Sequence, residues 1–102
     1  MITITDAAAN QIKESIKQTQ AEGLALRIAC TKQPDGSLHY GMGFDEKAEE
    51  DKSFMSNDIE LIVAPVSLTL LSGTVLDFVE LEEGKPDFIF QNPNDPEHQP
   101  VQ

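Results

Sequence analysis

Cysteine is nearly absent from this sequence, since Cys30 is the single example among 102 residues. One thiol excludes an internal disulfide and any Cys-x-x-Cys motif. The two histidines, His39 and His98, lie far apart and lack the short spacing that zinc ligands usually show. A disulfide scaffold, a thiol redox pair and a conventional zinc site are therefore all disfavoured.

Positive charge is also scarce. Seven Lys and Arg residues face eighteen Asp and Glu residues, which gives a formal net charge of −11. Proteins that bind nucleic acids neutralise phosphates with Lys and Arg, and the anionic inner leaflet repels an acidic chain. We expect no nucleic acid and no membrane as a partner, and a protein partner that is neutral or basic or that meets an uncharged patch.

Long apolar runs are missing as well. No stretch approaches the 18 apolar residues of a membrane-spanning helix, and the N-terminus lacks the features of a secretory signal. These absences predict a soluble, cytoplasmic protein. A hydrophobic fraction of 39% and this length predict one globular domain, over residues 1–94, with a flexible tail at 95–102 that holds two prolines and one apolar residue.

Apolar periodicity predicts the elements. Ala8, Ala9, Ile12 and Ile16 form a helical stripe that ends near Gln20 with Gly23 as the stop, whereas residues 24–30 and 38–44 alternate as strands. Further strands are predicted at 1–4, 59–64, 75–81 and 87–91, with an edge strand beginning near Phe54 and a short helix over 65–71. The order β-α-β-β-β-α-β-β indicates an α+β fold, mostly an antiparallel β meander with one longer N-terminal helix.

The same patterns predict a core. Its expected members are the apolar residues on one face of each element: Ile12, Ile16, Leu24, Leu26, Ile28, Tyr40, Phe44, Leu68, Leu71, Leu76, Phe78 and Phe90.

None of the candidate chemical constellations is convincing. Cys30 shares strand parity with Ile28 and should be buried, where a thiol is inert, while His39 should face solvent. The acidic stretch 45–52 lacks the ligand spacing of a calcium loop and is interpreted as a solvated loop. Gly41 and Gly43 lie inside a strand, so they do not form a phosphate-binding loop. These residues predict no catalytic group, no bound cofactor and no enzyme.

Three stretches together resemble the A-type iron–sulfur carrier family, also called HesB-like or IscA-like. They are Ile2-Thr3-Ile4-Thr5-Asp6-Ala7-Ala8, the segment 67–79 with Gly73-Thr74-Val75-Leu76-Asp77-Phe78-Val79, and Phe88-Ile89-Phe90-Gln91-Asn92-Pro93-Asn94. Arg27, Tyr40 and Phe44 fit the same register. The resemblance implies the HesB-like architecture.

The resemblance also identifies a loss. Members of the family bind iron or an iron–sulfur cluster with three cysteines, and the matching positions here hold Asp35, Gln99 and Val101. Clusters are held by thiolates, and neither an aspartate nor an amide nor a valine replaces one. This chain is therefore expected to be a degenerate member without metal ligands.

Two hypotheses for function remain open. The first is an accessory or regulatory interaction protein, monomeric or weakly dimeric, similar to the cysteine-lacking (DsrR-like) members that accompany the dissimilatory sulfur-oxidation system. The second is a residual iron or cluster carrier in cluster assembly that uses Asp35, His98 and Cys30.

Overall fold

A computed structural model describes residues 2–95. The described chain folds into seven strands and two helices, in the order β1 (Thr3–Ile4), α1 (Asp6–Thr19), β2 (Ala25–Lys32), β3 (Leu38–Asp45), β4 (Lys52–Ser56), β5 (Ile59–Val63), α2 (Pro65–Leu71), β6 (Val75–Glu82) and β7 (Lys85–Gln91). The α+β class and the long and short helices are as predicted. Neither helix in this part of the chain is long and apolar enough to cross a bilayer.

Helix α1 begins and ends through side-chain and backbone caps. The Thr5 hydroxyl accepts a hydrogen bond from the Ala8 N–H at 3.2 Å and donates one to Asp77 Oδ1 at 2.6 Å, which ties the cap to β6. Gln20 takes the left-handed conformation with φ +56°, and its N–H bonds to the Ile16 carbonyl. The helix therefore stops at Gln20 itself, and the predicted stop, Gly23, lies in the turn that follows.

The strands form two sheets, one with the order β1-β6-β7 and one with the order β3-β2-β5-β4. Three hairpin pairs are antiparallel, as a meander requires, but β1 pairs with β6 and β2 pairs with β5 in parallel. The edge strand expected near Phe54 is β4. Each parallel pair joins strands far apart in sequence, and strand alternation alone carries no information on such partners.

The core lies between the sheets and the helices. Ile12, Leu26, Ile28, Leu71 and Leu76 are buried as predicted. All but one of the remaining predicted members are partly exposed and pack against this core. These are Ile16, Tyr40, Phe44, Leu68, Phe78 and Phe90. The exception is Leu24, whose assignment to the core is wrong. It precedes β2 in a turn and is 36% exposed, because the strand begins only at Ala25.

The acidic stretch between β3 and β4 is only partly the solvated loop that its composition predicted. Asp51 is buried, and both its oxygens bind the Arg27 guanidinium, at 2.9 Å to Nη1 and 2.6 Å to Nη2. Asp51 also accepts the Ala48 N–H at 2.7 Å, and Asp45 accepts from Arg27 Nε at 2.8 Å. The paired arginine holds the pKa of Asp51 at about 2. One cation thus folds the connection back onto the sheet, whereas Glu46, Glu49 and Glu50 stay exposed.

Candidate functional site

The turn between β2 and β3 places Asp35 at the tip of a hairpin. The Gly36 N–H bonds to the Gln33 carbonyl at 2.9 Å, and Gly36 has φ +91°, a conformation that favours glycine. Asp35 Oδ1 accepts the Ser37 N–H at 3.0 Å and the Ser37 hydroxyl at 2.6 Å. These bonds, led by that from the hydroxyl, lower the pKa of the exposed Asp35 carboxyl. The Asp35 carboxylate is therefore an anion that accepts hydrogen bonds from its own turn.

The Asn-Pro-Asn turn after β7 is bound to the end of α2. Asn92 is fully buried, with its Nδ2 donating to the Leu70 carbonyl at 2.7 Å. Asn94 Nδ2 donates to the Ser72 carbonyl at 2.7 Å, so the two amides satisfy carbonyls at the helix end. Pro93 lies against Gly73, where an added Cβ would come within 3.3 Å of the proline ring. This turn therefore has a fixed position.

A cleft of about 460 Å³ separates these two turns. Lys32, Asp35 and Leu38 line its hairpin side, and Asn94 and Asp95 line the other, with Leu70 between them. The cleft is polar and of mixed charge. It lies between the hairpin tip that holds Asp35 and the segment that ends at Asp95.

An aromatic pair is attached to Asp95, one of the residues that line the cleft. The Tyr40 ring stacks on Phe90 with the centroids 4.7 Å apart, and the Tyr40 hydroxyl donates to Asp95 Oδ2 at 2.7 Å. Burial, and then the bond to Asp95, raise the pKa of Tyr40 far above its usual range, so the phenol is a permanent donor. The contact attaches residue 95, the last one described, to strand β3.

Cys30 lies opposite Tyr40 in the β2–β3 ladder and is 1% exposed. It does not line the cleft. Burial, followed by the charge of Asp95, raises the pKa of the thiol and suppresses the thiolate that would bind metal. The predicted burial of Cys30 is confirmed.

The backbone of Cys30 explains how α2 is positioned. Strand β2 pairs with β5 only at Leu26 and Arg27, so at Cys30 none of the described strands lies on that side of β2. Ser67 takes the place of such a strand, because its hydroxyl accepts the Cys30 N–H at 3.1 Å and donates to the Cys30 carbonyl at 3.2 Å. The carbonyl end of α2 is thereby brought to the Asn-Pro-Asn turn.

The structure places only one of the proposed residues that it describes in the cleft. Asp35 lines it, whereas Cys30 is buried in the core and His39 is exposed on β3. His98, Gln99 and Val101 lie outside the described residues. Within 2–95, no three His, Cys, Asp or Glu side chains are grouped so that they could hold a metal ion.

Sequence reasoning missed two members of the site, Lys32 and Asp95. Each is a single charged residue in a chain of many, and only the folded hairpin and turn bring them to one cleft. The Asn-Pro-Asn motif was the sequence signal that could have pointed to Asp95, because this turn fixes the position of the residue that follows it.

The donor set does not suit a cluster held by thiolates. Asp35 supplies carboxylate oxygens to the cleft, whereas clusters are held by thiolates, and the full sequence offers a single thiol, which is buried. Two copies of the chain would supply only two such thiols, each enclosed in its own core.

Comparison with known proteins agrees with this description of the fold. The chain is 38% identical over 94 residues to the iron-sulfur cluster insertion protein ErpA of Actinobacillus succinogenes, which covers 91% of this chain and 82% of ErpA. It is equally identical to SufA of Bacillus subtilis, with 91% and 78% covered.

Solved structures give the same result. The crystal structure of Escherichia coli SufA superposes with a TM-score of 0.76 at 26% identity, covering 90% of this chain and 80% of SufA. IscA with a [2Fe-2S] cluster superposes with a TM-score of 0.74 at 25% identity, covering 91% and 86%. The family described as iron-sulphur cluster biosynthesis matches residues 1–95. This chain, with Asp35 at the tip of its hairpin, therefore belongs to the iron-sulphur cluster biosynthesis family of A-type carriers.

Proposed function

We propose that this chain is a non-catalytic member of the family that has lost iron and iron–sulfur binding and acts by contacting another protein. The observation that carries the proposal is the hairpin tip, where Asp35 is bonded to Ser37 in place of a free thiolate. Cys30 provides no substitute, because it is buried and its pKa is raised. The family fold is kept, while the side chain at the hairpin tip can no longer act as a thiolate ligand.

The test is to restore the three thiols. The parent and the variant Asp35→Cys/Gln99→Cys/Val101→Cys are incubated with ferrous iron and sulfide under anaerobic conditions, desalted and assayed for iron and visible absorption. We expect iron and a sulfide-to-iron band at roughly 400–450 nm only in the variant, because thiolates are the ligands a cluster requires.

The matched control replaces the same positions by serine, Asp35→Ser/Gln99→Ser/Val101→Ser, which keeps the size of the side chains without the thiols. It should bind no iron. A parent that retains stoichiometric iron after desalting would overturn the proposal and favour the carrier that uses Asp35, His98 and Cys30. The variant Cys30→Ala in the parent would then show whether the buried thiol takes part.

The role in sulfur oxidation that the resemblance implies is part of the proposal. Deleting the gene in its host should slow oxidation of stored or reduced sulfur and leave the activities of iron–sulfur enzymes unchanged. Complementation with the serine variant should restore sulfur oxidation, since the proposed function needs no metal. Loss of iron–sulfur enzyme activity on deletion would instead indicate a carrier.

A further inference from the structure

Strand β3 is the terminal strand on one side of the four-stranded sheet. It pairs with β2 over eight residues without a shift in register, from Ala25 opposite Asp45 to Lys32 opposite Leu38. The described residues provide no strand on its other side. Its outer edge is therefore a long, regular row of backbone groups.

The hydrogen-bond alternation identifies which groups point outward. The Gln33 N–H bonds to the Ser37 carbonyl, and bonded and non-bonded pairs alternate from there along an antiparallel ladder. Gly41 and Gly43 thus belong to bonded pairs and face β2, whereas Met42 and Phe44 direct their N–H and C=O groups to the open edge. The Cys30 N–H, which points away from β3 toward Ser67, agrees with this phase.

The edge strands β4 and β7 carry features that discourage strand addition. Strand β4 has five residues and begins at Lys52, and β7 carries Lys85 and Pro86. Charged side chains, proline and short length are the usual protections of an edge. Strand β3 has neither lysine nor proline, and Met42 is 37% exposed.

The side chains beside this edge leave room for an added strand. An added Cβ at Gly41 or Gly43 would have no atom within 4 Å. A shallow groove of about 220 Å³ runs past Ala29, these two glycines and Met42, and it ends at the Arg27–Asp45 pair. Side chains of a neighbouring strand could cover the glycines on one face and Met42 on the other.

Charge decides between the two candidate occupants. A second copy would bring another chain of net charge −11 against the first. At the end of the groove, Asp45 is followed by the exposed Glu46, Glu49 and Glu50, and the exposed Lys47 between them offsets only one of these charges. Like charges disfavour the copy, and a cationic segment is attracted by the same field.

We propose that the outer edge of β3 binds an extended basic segment of a partner protein as an added β-strand. Backbone bonds to Met42 and Phe44 would supply affinity, and the open glycine face would select the side chains that lie over it. This surface deepens the proposed interaction function and rests on it for its biological use, although the binding itself requires no metal site.

The first test follows backbone amide exchange by NMR in the full chain. The probe is a synthetic eight-residue peptide of alternating Lys and Val, compared with a Glu–Val peptide and a fully N-methylated Lys–Val peptide. At saturation with Lys–Val, exchange of the Met42 and Phe44 amides should slow by at least about tenfold, because they gain partners. The Gly41 and Gly43 amides, already bonded to β2, should change little, and neither control peptide should protect the edge.

The second test uses a matched pair of variants. Met42→Pro removes one outward N–H from β3, and Met55→Pro places the same change on β4, the opposite edge of the sheet, where Met55 is 67% exposed. Proline is tolerated on edges where the lost N–H faces solvent. Met42→Pro should weaken Lys–Val binding by about tenfold or more, the loss of roughly one backbone bond, and Met55→Pro should not. If Met42→Pro does not fold, the N-methylated peptide still decides the question.

Protection at Met42 and Phe44 that rises with protein concentration alone would overturn the choice of occupant, since it would identify a second copy. Binding of Lys–Val that perturbs only Lys32 and Asp35 would place it in the cleft and also overturn the proposal. Iron reconstitution depends on residues 35, 99 and 101 and not on β3. Failure of strand addition and failure of the cluster-free proposal are therefore separate results.

Discussion

At the scale of single residues, Arg27 organises the acidic connection between β3 and β4. Its guanidinium binds Asp45 and Asp51 at once, and the two partners differ in exposure, with the Asp45 side chain at 56% and the Asp51 side chain at 2%. The exposed pair is weakened by solvent, while the buried carboxylate depends on its partner. Substituting each aspartate in turn therefore compares an exposed and a buried partner of the same arginine.

Stability should decline in acid because of Asp51. Its pKa in the folded chain is about 2, against about 3.9 for an unfolded aspartate. A depressed pKa contributes stability that is present above the unfolded value and is lost as the pH falls through the folded one. Urea unfolding at intervals from pH 6 to pH 2 should show a lower midpoint below about pH 4, since the unfolded aspartate takes up its proton there while Asp51 in the folded chain stays ionised.

Asp51→Asn should remove part of that acid-dependent decline. It should also lower the urea midpoint at pH 7, because the Arg27 guanidinium then loses its buried anionic partner. Asp45→Asn should lower it less. Equal effects of the two substitutions would show that burial of Asp51 does not matter for stability.

Leu71 and Leu24 test the limits of the core. Leu71 is fully buried, and Leu71→Ala should cost about 2–5 kcal/mol of the free energy of unfolding. Leu24→Ala should cost clearly less, because Leu24 is partly exposed before β2 begins. Equal losses in urea unfolding would place Leu24 in the core after all.

At the scale of elements, helix α2 connects β2 to the Asn-Pro-Asn turn through hydrogen bonds at both of its ends. Its first turn binds the Cys30 backbone through Ser67, and its last carbonyls bind Asn92 and Asn94. The helix has only seven residues and could not persist alone, so these tertiary bonds hold it in place.

Ser67→Ala should therefore destabilise the protein by about 1–3 kcal/mol, since it leaves buried backbone groups of Cys30 without a partner. The matched substitution is Thr69→Ala on the same helix, where the exposed hydroxyl bonds only to the Val66 carbonyl. We expect Thr69→Ala to have little effect in urea unfolding. A similar loss for both variants would mean that helix propensity, and not the bridge to Cys30, is being measured.

Strand alternation and helical periodicity predicted most elements, because each is a local pattern. The Ser67 bridge could not be predicted, since it arises from β2 extending past β5, a consequence of pairing between distant segments. The burial of Asp51 escaped for the same reason, as composition does not show which aspartate meets Arg27. At the site, Asp35 was found by resemblance, whereas Lys32 joins it only through the fold.

At the scale of the whole molecule, two sheets are held together by long-range contacts that begin at the N-terminus. The Ile4 N–H bonds to the Ser56 hydroxyl at 3.0 Å, and Asn57 Nδ2 donates to Asp6 Oδ1 at 2.7 Å. Strand β1 itself belongs to the other sheet through its pairing with β6. The first few residues thus connect both sheets.

The assignment of the C-terminal tail stays a prediction at this scale. A chain ending at Asp95 keeps the Tyr40 bond and should unfold at the same urea concentration as the full chain, because the removed residues hold a single apolar side chain. Ending the chain at Asn94 also removes the bond from the half-buried Tyr40 and should lower the midpoint. An equal loss for both would assign that stability to residues beyond 95.

The pairing of β1 with β6 has a consequence for synthesis on the ribosome. Thr3 lies beside Val75 and Ile4 beside Leu76, so the opening strand waits for a partner made 72 residues later. At about 5–20 residues per second this delay is roughly 4–14 s, during which α1 lacks β6, one of the strands against which it packs. The unfinished chain therefore keeps apolar surface exposed until β6 is made, which is the condition that favours aggregation during synthesis.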